Sequence, residues 1–200
     1  MKLSWKEFLV IFVLAILAAI VIGGIMIFKK TPTNQLSGNE ILPSPNLTQG
    51  ESQMKLSSSA FENNQLIPAK YTCDGENVNP PLVIVDIPED TQSLVLIVDD
   101  PDAPSGAFTH WLVWNIDPQA KEIAEGSVPQ NATQGKNDFG KNGWGGPCPP
   151  SGTHHYFFKL YALDQKLDLS ASADKKDLEK AMQGHILSQT QLIGLYNRGR

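Results

Sequence analysis

The sequence predicts a mainly β domain built of antiparallel strands. Three observations point there. The apolar runs are short and rich in β-branched and aromatic residues, as buried strands are. Fourteen prolines and sixteen glycines divide the 200-residue chain into many short pieces. Beyond the tether, only one stretch, residues 174–183, has a convincing helical pattern. Several strands and one helix make an antiparallel, mainly β arrangement. A hydrophobic content of 41% suits one domain with some length left for a tail. The net charge of −5 provides no basic footprint, which argues against a nucleic-acid partner.

Taken in order, the chain opens on an uninterrupted apolar run at residues 8–28, FLVIFVLAILAAIVIGGIMIF. At helical rise such a run spans roughly 30 Å, the hydrocarbon thickness of a bilayer. It ends in Met26, Ile27, Phe28, Lys29 and Lys30, without the small-residue pattern of a cleavage site. Residues 1–30 are therefore expected to be an uncleaved, single-pass membrane anchor, with Trp5 at the interface. Lysines flank both ends, so the positive-inside rule is nearly balanced. Residues 31–53 are polar, rich in Pro, Ser and Asn, and aperiodic, which reads as a flexible tether. Asn46-Leu47-Thr48 and Asn131-Ala132-Thr133 fit glycosylation sequons, which matter only outside the cell.

The folded domain is expected over residues 54–200. Residues 55–68 alternate loosely around a turn at Asn63-Asn64. A loop around Asp74-Gly75 is closed by Pro80 and Pro81, a strand follows over 82–87, and Pro88-Glu89-Asp90 turns the chain. Strands over 94–98 and 111–116 flank a polar segment that holds Asp99, Asp100, Asp102, Pro101, Pro104 and His110. Its prolines cannot donate to a ladder and hold the loop stiff. Residues 121–150 read largely as loop; Phe139 and Trp144 argue that it is ordered. Residues 154–163, HHYFFKLYAL, form a strong strand with Tyr156, Phe158, Leu160 and Ala162 on one face. Asp174 caps the helix, Leu178, Ala181 and Met182 give it an apolar stripe, and Gly184 ends it. Residues 186–196 alternate poorly but have strand composition.

Two polar clusters stand out. In the first, carboxylates at one strand end face a histidine at the start of the next. In the second, a Gly/Pro loop delivers His154, His155 and Tyr156 to the start of a buried strand. Glycines let backbone N–H groups approach a ligand closely. Asp-rich turns often only satisfy nearby backbone, so neither cluster alone defines a site.

The two clusters together resemble a known family. Asp100-Pro101-Asp102-Ala103-Pro104 followed by His110-Trp111-Leu112-Val113 resembles the first signature of the phosphatidylethanolamine-binding proteins, which include the Raf kinase inhibitor proteins. Gly146-Pro147-Cys148-Pro149-Pro150-Ser151-Gly152-Thr153-His154-His155-Tyr156 resembles the second. AFENNQLIPAKYTCDGENVNPPL looks like the opening of the prokaryotic branch. The resemblance covers about residues 55–198 and leaves out the anchor and tether.

The resemblance implies a large antiparallel sheet packed against a smaller one, with one or two peripheral helices. It also implies one small pocket for an anion such as phosphate, or for a phospholipid head group. Carried over by motif, Asp100, Asp102, Pro104, His110, Gly146, Pro150, His154 and Tyr156 are the expected ligand-binding residues. Asp100 is expected to pair with His110, since a bare carboxylate would repel an anion. The Ala103–Pro104 bond is cis in relatives, so a cis bond is expected here too. The family fold could bring Cys73 and Cys148 together near the pocket, which leaves a disulfide or two free thiols open. The disulfide is the expectation, and with it an extracytoplasmic domain at the cell membrane. Eukaryotic members carry a C-terminal helix that gates the pocket, whereas this sequence ends soon after Tyr196, a departure that puts the eukaryotic lipid and kinase activities in doubt here.

Binding without catalysis or cofactor is the expected activity. Its alternative is a regulator that inhibits a protease or kinase by docking it at the same pocket, with Lys136, Lys141 and Trp144 as the rim. Two further rivals stay open. Asp100, His110 and His154 form a two-histidine, one-carboxylate set of the kind that holds iron or zinc. Ser105, Ser151 or Cys148 beside a histidine would be a nucleophile, although none sits in a G-x-S-x-G elbow.

Overall fold

The computed structural model describes residues 53–199. The anchor expected at residues 1–30, with its apolar run 8–28, lies outside the described residues, as does nearly all of the tether. Among the described residues no helix is long and apolar enough to cross a membrane.

The described chain forms β1 (Lys55–Ser57), β2 (Gln65–Leu66), a 3₁₀ turn (Ala69–Tyr71), β3 (Leu82–Val85), β4 (Ser93–Asp100) and β5 (Phe108–Ile116). There follow β6 (Glu122–Ile123), β7 (Thr133–Gln134), β8 (Thr153–Leu163), α1 (Lys175–Met182) and β9 (Ile186–Asn197). A six-stranded sheet has the order β2-β9-β8-β4-β5-β7, and a three-stranded sheet the order β1-β3-β6. Every pairing is antiparallel except the short one between β2 and β9. Among the described residues the architecture is thus a large sheet over a smaller one, with one α-helix beside it.

Alternation along β4 explains the layering. Leu94, Leu96 and Val98 join Leu56, Ile84, Ile123, Phe158 and Leu160 in a core between the two sheets. Val95 and Ile97 point the other way and pack with Leu112, Trp114, Leu178 and Met182 under the helix. With both faces covered, β4 is buried along its whole length, which is why it reads as a continuous apolar run. Helix α1 is only eight residues long and would not persist alone. A capping box between Asp174 and Asp177 starts it, a contribution of about 1 kcal/mol. Burial of Leu178 and Met182, at roughly 1.5–3 kcal/mol each, is the larger hold.

The buried Asp99 carboxylate fixes the helix start to the sheet. Lys159 Nζ approaches Asp99 Oδ1 at 2.9 Å, and Lys175 Nζ, in the first turn of α1, pairs with Oδ2. Asp99 and Asp100 therefore extend β4 beyond its apolar run. The expected loop over residues 121–150 contains β6, β7 and a bridge between Lys136 and Asn142. Among the described residues no peptide bond is cis, so Ala103–Pro104 is trans, contrary to the expectation. There Gly106 N–H closes a turn onto the Ala103 carbonyl at 3.0 Å, and the trans form needs no compensation for its intrinsic preference.

Candidate functional site

The ends of three interior strands meet at one end of the large sheet. The end of β4 brings Asp100, the start of β5 brings His110, and the start of β8 brings His154 and Tyr156. These four, with Pro104 and Pro150, line a cavity of about 270 Å³. Asp102 and Gly146, expected at the same site, do not line it. Wider clefts border residues 86–89, but their linings hold no histidine.

His110 reaches the cavity through a β-bulge. Val98 pairs with Trp111 and Asp99 with Thr109, so His110 is the extra residue between two ladder positions. Trp111 points into the core between the sheets, and strict alternation would send His110 to the helix face. The bulge re-aims it, and its ring lies edge-on to Tyr156 with centroids 5.1 Å apart.

Asp100 is buried, and both its oxygens are engaged. Oδ1 accepts the Asp102 N–H at 2.8 Å, and Oδ2 accepts from His154 Nδ1 at 2.7 Å. The expected partner was His110, and this is corrected. His110 Nδ1–H instead donates to the Gly145 carbonyl at 2.5 Å, a backbone partner that no sequence motif advertises. Both partners only accept, so each ring carries its proton on Nδ1 and leaves Nε2 without it while neutral. Protonating His154 would turn its Nε2 into a second donor. Burial pushes the His110 pKa below the usual histidine range, and the Gly145 hydrogen bond and the Asp100 charge offset this only in part.

Tyr156 is fully buried, and its hydroxyl lies close to the Asp100 carboxylate and the Cys148 backbone but finds no partner at hydrogen-bond distance among the described residues. Burial first, then the nearby Asp100 carboxylate, push its pKa well up, so it stays a neutral O–H donor. Such an orphan normally costs about 1–3 kcal/mol.

The remaining expected residues sit around this centre. Asp102 Oδ2 accepts both the backbone N–H and Nδ1 of His155, at 2.9 and 2.7 Å, on the exposed surface. Those bonds hold the Asp102 pKa below the usual carboxylate range. Gly146 is a close-packed backbone position behind the wall. Its N–H donates to Asn77 Oδ1 at 2.8 Å, and a Cβ there would come within 2.5 Å of that oxygen and of the Tyr71 carbonyl. Cys73 and Cys148 form a disulfide with Cα atoms 5.4 Å apart, so Cys148 is no free nucleophile. Ser105 lines the cavity, but among the described residues no hydrogen bond joins it to a histidine. No group of three His, Cys, Asp or Glu side chains stands in a ligating cluster among the described residues. Trp144 does not line the cavity: it is half-buried, its ring stacks on Phe158 at 5.9 Å, and Nε1 donates to the Tyr71 carbonyl at 3.2 Å.

Two aromatic walls were not anticipated. Phe108 and Phe139 line the cavity and meet edge-on at 4.8 Å. Phe139 also packs edge-on against His110 at 5.4 Å while remaining 45% exposed. An isolated aromatic in a Gly- and Asn-rich loop was the available signal.

Comparison with known proteins agrees with this geometry. The family model described as phosphatidylethanolamine-binding protein matches residues 57–197. A UPF0098 protein of Pyrococcus horikoshii is 54% identical over 159 residues, 74% of this chain and 80% of that protein. One of Methanothermobacter thermautotrophicus is 51% identical over 151 residues, 73% of this chain and all of that protein. Among solved structures, a Chlamydia trachomatis protein described as a phosphatidylethanolamine-binding protein homologue superposes with a TM-score of 0.71. It is 41% identical, over 74% of this chain and 99% of that one. Escherichia coli YbcL, described as a member of the mammalian family, gives a TM-score of 0.70 at 28% identity, over 74% of this chain and all of that one. With the two signature segments closing one pocket and the match spanning nearly all of the described domain, the chain belongs to the phosphatidylethanolamine-binding protein family.

Proposed function

We propose that the domain binds a small anionic ligand of the phosphate or phosphorylated-head-group class in the Asp100–His110–His154–Tyr156 pocket, without transforming it. The observation that carries this reading is the buried hydroxyl of Tyr156, a cavity-lining residue, which lies near Asp100 and the Cys148 backbone but has no acceptor at hydrogen-bond distance. It is a donor already stripped of water, and an anionic oxygen would supply what it lacks. His154 adds a second donor when protonated. Asp100 then balances the imidazolium charge, so that pair carries no net charge. Phe108, Pro104 and Pro150 give the cavity apolar walls, beside which a polar contact is stronger than in open water. On this reading the apolar run at residues 8–28 tethers the pocket to a membrane, with phosphoethanolamine as the natural test head group. The rival occupant is a protease or kinase docked over the same mouth, for which the exposed Phe139, with Lys141 Nζ 6.0 Å from its ring, would be the anchor.

The test is calorimetric titration of inorganic phosphate and phosphoethanolamine into the full chain, wild type and Tyr156→Phe. Saturable one-site binding is expected, weakened about tenfold or more in the variant, the scale of a hydrogen bond to a charged group. The variant itself should fold with equal or slightly greater stability, since it removes only an unsatisfied hydroxyl. No saturation at millimolar ligand would overturn the reading and favour a protein partner.

A further inference from the structure

One wall of the pocket, residues 144–150, is gripped by a loop distant in sequence, residues 71–77. Four contacts make the grip. The Cys73–Cys148 disulfide joins the two segments. Cys73 N–H donates to the Pro147 carbonyl at 3.0 Å, and Gly146 N–H donates to Asn77 Oδ1 at 2.8 Å. Trp144 Nε1–H donates to the Tyr71 carbonyl at 3.2 Å. The gripping loop is itself anchored: Asp74 accepts from Tyr196 Oη at 2.8 Å and from Arg198 at 2.9–3.1 Å, and Asn77 N–H donates to the Lys70 carbonyl at 3.0 Å.

What is gripped matters to the site. Gly145 exchanges two bonds with His110: its carbonyl holds the ring Nδ1–H at 2.5 Å, and its N–H donates to the His110 carbonyl at 3.0 Å. Cys148 is part of the cavity lining, next to Pro149 and Pro150. A shift of this segment therefore moves the His110 ring and the far wall together.

We infer that the 71–77 loop, through the Cys73–Cys148 disulfide and Asn77, positions His110 and the 148–150 wall, so that reducing the disulfide weakens the pocket's hold on an anion. The inference rests on the anion-binding reading above, and it adds redox control of the same site. A dithiol is the chemical class of reductant that suits it. One thiolate of the dithiol attacks Sγ of the exposed Cys73 and expels Cys148 as a thiolate, which takes up a proton. The second thiol of the reagent then displaces Cys73 from the mixed disulfide. Two electrons and two protons have passed to the protein, and the reagent leaves as a cyclic disulfide. Asn77 and the cysteines are positioning residues, since they act on the ligand through His110 and the wall.

The experiment compares the full chain oxidised and after dithiothreitol, with two readouts: phosphate affinity by calorimetry, and the His110 imidazole signals by NMR. Asn77→Ala and Asn77→Asp are measured in the oxidised state. Reduction is expected to lower phosphate affinity by about tenfold or more, the scale on which a small misplacement acts, and to shift the His110 ring resonances. Asn77→Ala should move both readouts the same way by less. Asn77→Asp, which keeps an oxygen for the Gly146 N–H, should restore them. Unchanged affinity and an unmoved His110 signal on reduction would overturn the inference. If neither form binds phosphate, the anion reading fails, while the His110 signal still tests the positioning claim. If reduction unfolds the chain, the two Asn77 variants decide with the disulfide intact.

Discussion

Asp100–His154 and Asp102–His155 are the same chemical pair built twice. In each, a carboxylate Oδ2 meets an imidazole Nδ1 at 2.7 Å, the aspartates are two residues apart, and the histidines are adjacent. Adjacent residues of a strand face opposite sides, so one pair turns into the protein and the other out. The inner side chains are 9% and 5% exposed, the outer ones 49% and 42%. Burial, and not bond length, separates their roles. The inner pair stands unscreened on the wall of a cavity and can exchange charge and hydrogen bonds with a ligand. The outer pair is screened by water and pins the end of β8 to the loop after β4.

The comparison is broken most directly by removing each carboxylate. Asp100→Ala leaves the buried His154 Nδ1–H without its acceptor and should lower stability by about 1–3 kcal/mol. Asp102→Ala should cost less than about 1 kcal/mol, as exposed pairs do. Chemical denaturation of the two variants measures both, and equal losses would mean that burial does not set the difference.

A second effect comes from His110, on the inner side. Its folded pKa lies below the ordinary value near 6.5, because burial disfavours the charged ring. As pH falls below about 6.5 the unfolded chain takes up this proton before the folded one does. The His110 contribution is thus undiminished above that value and is lost as pH falls toward the folded pKa, with a slope of up to about 1.4 kcal/mol per pH unit. Denaturation midpoints between pH 8 and 5 should show the decline. A flat profile would place the ring in water.

The smallest effect belongs to the outer pair. The folded pKa of Asp102 is lowered, chiefly by the His155 hydrogen bond, so its contribution is present above the ordinary value of 3.8 and is lost as pH falls through the folded pKa. One molar salt should erase most of it at neutral pH, where the inner pair keeps its contribution. An equal salt response from Asp100→Ala and Asp102→Ala would contradict the assignment.

Much of this arrangement is written in the sequence, and the exceptions have physical causes. The apolar runs at 94–98 and 111–116 mark β4 and β5, but both strands run on into polar residues. Asp99 can extend β4 because Lys159 and Lys175 neutralise it, and those partners lie far along the chain. Strand β9 alternates poorly because its first half is largely exposed Gln, Ser and Thr, yet it pairs with β8 from Thr153 to Leu163. Both signature segments converge as the resemblance implies. The pairing inside the pocket was not legible, since it depends on a one-residue bulge at His110 and on a carbonyl of Gly145. Phe139 was legible only as a sign of order, because its contact with His110 is made across a loop.

The most direct test of the central claim uses the two adjacent histidines as their own controls. Inorganic phosphate is titrated by NMR into the full chain as wild type, His154→Ala and His155→Ala. The account predicts saturable binding in the wild type and in His155→Ala, with His110 and Tyr156 signals moving, and its loss in His154→Ala. Binding that survives in His154→Ala, or that disappears equally in both variants, would contradict it.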